Sequence, residues 1–150
     1  MPDLFTLRPA TADDAAAIRS LVWQAEINPT GLKWPRFILA VLPSNEIIGC
    51  GQIKPHADGS QELASLAVLP AWQGKGVARA LITHLLAQHP GELHLMCRSH
   101  LGPFYEKFGF RKLSEADMPP YFRRIKRLTK LAEFVRQEGE ILLVMRRTPP

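Results

Sequence analysis

The stretch VLPAWQGKGVARAL, residues 68–81, sets three chain-breakers and a lysine between two apolar runs. Before it, ELASLAV (62–68), mostly apolar with polar residues set among it, reads as a strand. After it, VARALITHLLAQH (77–89) repeats its apolar residues with the period of a helix. The sequence thus predicts a strand that ends in a glycine loop opening directly onto a helix. A helix start carries backbone N–H groups without intrahelical partners and the positive end of the macrodipole. Glycines let such a backbone approach a ligand closely. The amides of Gln73, Gly74, Lys75, Gly76, Val77 and Ala78, with the cations of Lys75 and Arg79, therefore suit a phosphate or pyrophosphate. A Walker loop is excluded, because no G-x-x-x-x-G-K-[ST] is present. The dinucleotide fingerprint G-x-G-x-x-G fails because Arg79 stands where its third glycine belongs. On spacing alone two readings stay open: an anion cradle, or a plain turn with helix-capping glycines.

Outward from the loop the chain reads as mixed α and β. FTLRPA is a short strand, and Thr11 with Asp14 forms a capping-box pattern before a helix to about Glu26. Ala15, Ile18, Leu21, Val22 and Ala25 make its apolar face. RFILAVL and EIIGCGQIKP are strands joined at PSN, and Gly49 and Gly51 mark a bulge or a close approach of another backbone. After the loop helix come a strand at ELHLMC, a short helix in LGPFYEKFGF stopped by Gly109, and a strand at FRKL. A helical segment follows at 121–137, then a last strand at EILLVMRR. In that segment apolar residues recur at 122, 125, 128, 132 and 135, with Arg123, Lys126, Arg127 and Lys130 opposite.

A chain of 150 residues is expected to be one domain with a full core. No apolar run reaches the roughly 18 residues of a membrane span, and the start MPDLFTLRP lacks the pattern of a signal peptide. The expected location is the cytoplasm, with Cys50 and Cys97 as buried, reduced thiols. No histidine or cysteine has metal-ligand spacing, so no metal is expected. The formal net charge of +5 equals the excess within 121–137, where six bases (Arg123, Arg124, Lys126, Arg127, Lys130, Arg136) meet one acid, Glu133. Electrostatic effects therefore concentrate there. A nucleic-acid role is disfavoured because that face lacks interleaved aromatics and no reader motif is present.

LAVLPAWQGKGVARAL resembles the first signature of the GNAT N-acetyltransferases, [QR]-x-x-G-x-[GA], filled by Gln73, Gly76 and Ala78 and preceded by Val68 and Pro70. PFYEKFGFRK resembles the second, a tyrosine on a short helix followed by Gly-Phe and a strand. The resemblance spans residues 4 to about 114, with ILLVMRR as the expected last strand. It implies an α/β (α+β) fold with a mixed, mostly antiparallel twisted sheet of about seven strands flanked by helices. The segment 121–137 would be an extra helix between the last two strands. It implies acetyl-CoA as co-substrate, its pyrophosphate held by Gln73 to Arg79. The strand ending Ala67, Val68 and Leu69 would splay from ELHLMC and pair with the pantetheine arm. The N–H of Val68 or Leu69 would polarise the thioester carbonyl.

By the same resemblance, Glu62 would take the proton from the amine and Tyr105 would protonate the departing thiolate. Where the family often has asparagine, this chain has Arg98, assigned here to the cofactor; His100 nearby is expected to be an exposed loop residue. The implied acceptor is a small-molecule or peptide amine; if it is admitted beside the basic segment, those cations would favour one carrying negative charge. A monomer or homodimer is expected. The alternative is a non-catalytic module binding coenzyme A or, through 121–137, nucleic acid.

Overall fold

In the computed structural model residues 4–136 and 140–149 are described, residues 131–136 by their backbone alone. The elements run β1 (Thr6–Pro9), α1 (Ala15–Gln24), β2 (Phe37–Val41), β3 (Ile47–Pro55), β4 (Gln61–Val68) and α2 (Val77–Gln88). They continue β5 (Leu93–Arg98), α3 (Gly102–Glu106), β6 (Arg111–Lys112), α4 (Pro120–Arg136) and β7 (Leu142–Arg147). The strands form one seven-stranded sheet in the order β1-β2-β3-β4-β5-β7-β6. β4 and β5 are parallel, a pairing that needs a crossover, here supplied by α2; the pairings β1–β2, β2–β3, β5–β7 and β6–β7 are antiparallel. The mixed, mostly antiparallel seven-stranded sheet and the helix between the last two strands match the expectation.

The chain forms two compact units, Met1–Lys54 with Leu63–Pro90, and Pro55–Glu62 with Gly91–Pro150. In the first, Ile18, Leu21 and Val22 of α1 pack on Phe37, Leu39 and Val41 of β2. Ala25, expected on that face, is exposed, because α1 ends at Gln24. The hairpin between β2 and β3 turns at Asn45 with φ 71°, and the register slips between Ala40 and Val41 so that Ile48 is the extra residue. Gly49 and Gly51 do mark a close approach, of helix side chains at both and also of a backbone at Gly49, where the Ala67 carbonyl would lie 3.3 Å from a Cβ. A Cβ at Gly49 would lie 2.9 Å from Val77, and one at Gly51 3.2 Å from Leu85. These two glycines seat α2, and hence the loop before it, against β3.

The capping pattern at Thr11 is present, one turn of 3₁₀ helix ahead of α1. The Asp14 carboxylate accepts the Thr11 amide at 2.8 Å and both Arg8 terminal nitrogens at 2.8 and 3.1 Å. The Arg8 hydrogen bonds hold this carboxyl down at about 2. Its contribution is therefore complete above the ordinary carboxylate range and is lost as pH falls through the folded value. Asp14→Asn is expected to cost about 1–3 kcal/mol at neutral pH, as for a lost charged hydrogen bond. Urea midpoints of parent and variant should converge as pH drops from about 4 toward 2.

In the second unit Leu113, Met118, Phe122 and Val144 form a small core. The carboxylate of Asp58, in the turn between β3 and β4, accepts the Tyr121 amide at 3.0 Å and so caps the start of α4. The sequence stripe on α4 is corrected at Leu128, which is 61% exposed while Phe122 is fully buried. At 100° per residue Leu128 lies about 120° around the helix from Phe122, whereas Thr129 lies within about 20°. The inward row is thus Phe122, Ile125 and Thr129. Positions 132 and 135, together with the side chains of Glu133 and Arg136, fall outside the described side chains.

Candidate active site

The loop before α2 is an open run of amides. Gly74 and Gly76 have φ of 76° and 85°, and a Cβ built on either meets nothing within 4 Å. Gly76 caps α2, and the ladder begins with the Ala80 amide on the Gly76 carbonyl at 3.0 Å. The amides of Val77, Ala78 and Arg79 therefore have no intrahelical acceptor. Lys75 lies with Nζ 5.1 Å from the Trp72 ring centre, and Gln73 Nε2 donates to the Val68 carbonyl at 3.2 Å, bracing loop against strand. Val77 is buried, while Gln73, Gly74, Lys75, Gly76 and Arg79 are exposed. Left-handed glycines, free amides and clear space fit a pyrophosphate.

The neighbouring strand corrects one expectation. The Leu69 amide donates to the Ile48 carbonyl at 2.9 Å and cannot polarise a thioester. Successive amides of a strand point in opposite directions, so Val68 N–H points away from β3 and is the remaining candidate. Ala67 is buried in the core. Further along β4 lies a feature the sequence concealed: Ser65 has φ 56°, rare for a residue with a side chain. The Gln52 amide nitrogen holds the Ser65 hydroxyl at 2.8 Å, while the buried Gln52 Oε1 has no partner among the described residues. Two residues along β3 from Gln52, Lys54 is 7% exposed and its Nζ donates to the Thr30 carbonyl at 3.1 Å. No carboxylate pairs with it among the described residues. A buried ammonium with one neutral acceptor is poorly compensated.

Within the second unit Glu62 is not a solvated strand-end residue. It is 5% exposed, stands opposite His94 in the β4–β5 register, and its Oε1 lies 2.7 Å from His56 Nε2. Tyr121 stacks on the His56 ring with centres 3.6 Å apart, and Phe122 meets it edge-on. Tyr105 packs edge-to-face against Phe104 and Phe110. Its hydroxyl has no hydrogen-bond partner among the described residues. Burial, with a smaller contribution from Cys97, pushes this phenol up to about 12. Arg98 is exposed at the end of β5. His100 is exposed as expected, but its ring Nδ1 is paired with the Glu140 carboxylate. Cys50 and Cys97 are buried free thiols, raised by burial to about 12 and 11.

The basic face of α4 is partly engaged, although Arg124, Arg127 and Lys130 stay exposed. Arg123 donates to the carbonyls of Glu115, Ala116 and Met118, and Lys126 to that of Leu142 at 2.7 Å. Arg127 and Lys130 both bind the Glu115 carboxylate, at 2.7 and 2.5 Å. The sequence counted these cations but could not see Glu115 and the carbonyls beneath them. Among the described residues no cluster of histidine, cysteine or acidic side chains is arranged for a metal ion. No described helix is long and apolar enough to cross a membrane.

An amide cradle at a helix start beside a distorted strand is an arrangement suited to a phosphate-bearing ligand. A family model described as an acetyltransferase (GNAT) domain matches residues 33–112, over half of the chain, and the chain belongs to that family. Among similar solved structures is N-acetylglutamate synthase from Neisseria gonorrhoeae with coenzyme A and N-acetyl-glutamate. It is 21% identical with a TM-score of 0.74 over 98% of this chain and 35% of that one. This chain thus spans about a third of that synthase's length. Rv2747 from Mycobacterium tuberculosis, in complex with CoA, is 20% identical (TM-score 0.74), covering 97% of this chain and 99% of that chain. The ribosomal-protein-S18-alanine N-acetyltransferase of Escherichia coli is 18% identical (TM-score 0.68), covering 95% and 92%. At these identities the likeness is one of fold.

Proposed function

We propose that the protein, as a single cytoplasmic domain, binds acetyl-CoA and transfers its acetyl group directly to a primary amine. The observation that carries this reading is the Gly76-capped run of free amides at α2. In it, Gln73 to Arg79 hold the pyrophosphate, with Arg98 an exposed cation available to the cofactor. β4 offers the pantetheine arm a strand edge. Val68 N–H polarises the carbonyl, Glu62 serves deprotonation of the amine, and Tyr105 donates a proton or hydrogen bond to the leaving sulfur. The test is acetyl-CoA turnover against a panel of amines, read by free thiol. Thermal shifts with acetyl-CoA and coenzyme A, beside a salt-dependent nucleic-acid titration, separate an enzyme from a binding module.

The acceptor in this reading carries a carboxylate beside its amine. The buried Lys54 ammonium, held by one neutral carbonyl, supports that choice, and the synthase structure similar in fold holds N-acetyl-glutamate. Lys54→Met should raise KM for amino-acid acceptors about 10–100-fold, the worth of one charged hydrogen bond. It should leave KM for acetyl-CoA unchanged. An equal loss with spermidine would make Lys54 structural.

A further inference from the structure

We propose that the proton acceptor is the His56–Glu62 pair, with the imidazole carrying the proton and Glu62 as the residue that positions it. This rests on the acetyltransferase reading above. The pair is buried on both sides: the two side chains are 8% and 6% exposed, and Nε2 and Oε1 are 2.7 Å apart. A carboxylate at that distance selects the tautomer with the proton on Nε2 and leaves Nδ1 with a lone pair. Tyr121, stacked at 3.6 Å, fixes the plane of the ring. Asp58, whose carboxylate caps α4 at Tyr121, ties that helix to the turn joining β3 and β4.

The chemistry favours the pair over a lone glutamate. A free carboxylate titrates near 4.3 and a free imidazole near 6.5, and the acceptor amine near 10.4, so an imidazole is the better matched base at neutral pH. In the step, the N–H bond of the ammonium breaks and its proton passes, directly or through water, to Nδ1. The nitrogen keeps the electron pair with which it attacks. The imidazolium so formed is balanced by the Glu62 carboxylate, while Nε2–H stays where it was. The charged and titratable groups around the ring are Glu62 on β4, Asp58 in the turn and Tyr121 on α4, with His94 and Glu92 at β5 beyond Phe122. Arg124 acts on Tyr121 from α4.

His56→Gln is the discriminating variant, because its amide can still donate to Glu62 but cannot titrate. If the pair is the base, the acid limb of log kcat/KM moves toward lower pH by about two units, the gap between imidazole and carboxylate. Glu62→Gln should lower kcat at least 10-fold. A His56→Gln enzyme with the parental limb makes His56 a mere prop for Glu62 and overturns the proposal. Long-range ¹H–¹⁵N spectra of the imidazole decide independently of turnover. Neutral His56 protonated on Nε2 in the parent, with tautomer mixing in Glu62→Gln, supports the pair, and protonation on Nδ1 overturns it. Absence of thiol release from the parent with every amine defeats the acetyltransferase reading instead, and the spectra still report on the pair.

Discussion

Acetyl-CoA is expected to raise the melting temperature of the parent protein, and Gly76→Glu to abolish the rise. At a hundred times Kd a ligand adds about 2.7 kcal/mol, which for a domain of this size is a shift of roughly 5–10 °C. The glutamate puts a negative charge where the Val77, Ala78 and Arg79 amides face outward, and no atom stands in the way of its Cβ. It also places a side chain at φ 85°, a left-handed conformation costing about 1–2 kcal/mol. Gly76→Asn separates the two effects, since asparagine tolerates that conformation and carries no charge. The Gly76→Asn protein should melt near the parent and keep most of the ligand shift. A parent that does not respond to millimolar acetyl-CoA would defeat the cofactor assignment. A Gly76→Glu protein that still responds would move the pyrophosphate elsewhere.

Tyr105→Phe should lower kcat about 100-fold, typical for loss of a general acid, with little change in affinity for acetyl-CoA. The substitution removes one oxygen from a hydroxyl that has no described partner, so the packing against Phe104 and Phe110 survives. With its phenol at about 12, Tyr105 stays protonated through the working range and should produce no alkaline limb below about pH 11. The same shift has a stability consequence. A folded value raised above the unfolded one near 10 gives stability that is present below about pH 10 and is lost as pH rises through about 12. The phenylalanine variant should therefore lose less stability than the parent over that interval, measurable by urea midpoints. An unchanged kcat would return Tyr105 to a purely packing role.

The strand–loop–helix at 61–88 was legible because its signals are local: an apolar run, two glycines at the turn and an apolar stripe each act over a few residues. The same holds for the Thr11–Asp14 cap and for the order of the strands along the chain. Which side chains meet across the fold was not legible. Glu62 reads as a strand-end acid until α4 lays Tyr121 and Phe122 over its partner His56, some sixty residues away along the chain. Lys54 looks like an ordinary strand lysine until the Thr30–Gly31 turn closes over it. The α4 cations were counted correctly, but Glu115 and four backbone carbonyls engage Arg123, Lys126, Arg127 and Lys130. Between Val68 and Leu69, only the Ile48 carbonyl decides which amide is left for chemistry. Propensity and periodicity depend on neighbours in sequence, whereas burial, counter-charge and hydrogen-bond partners are supplied by segments brought together only when the sheet and its helices pack.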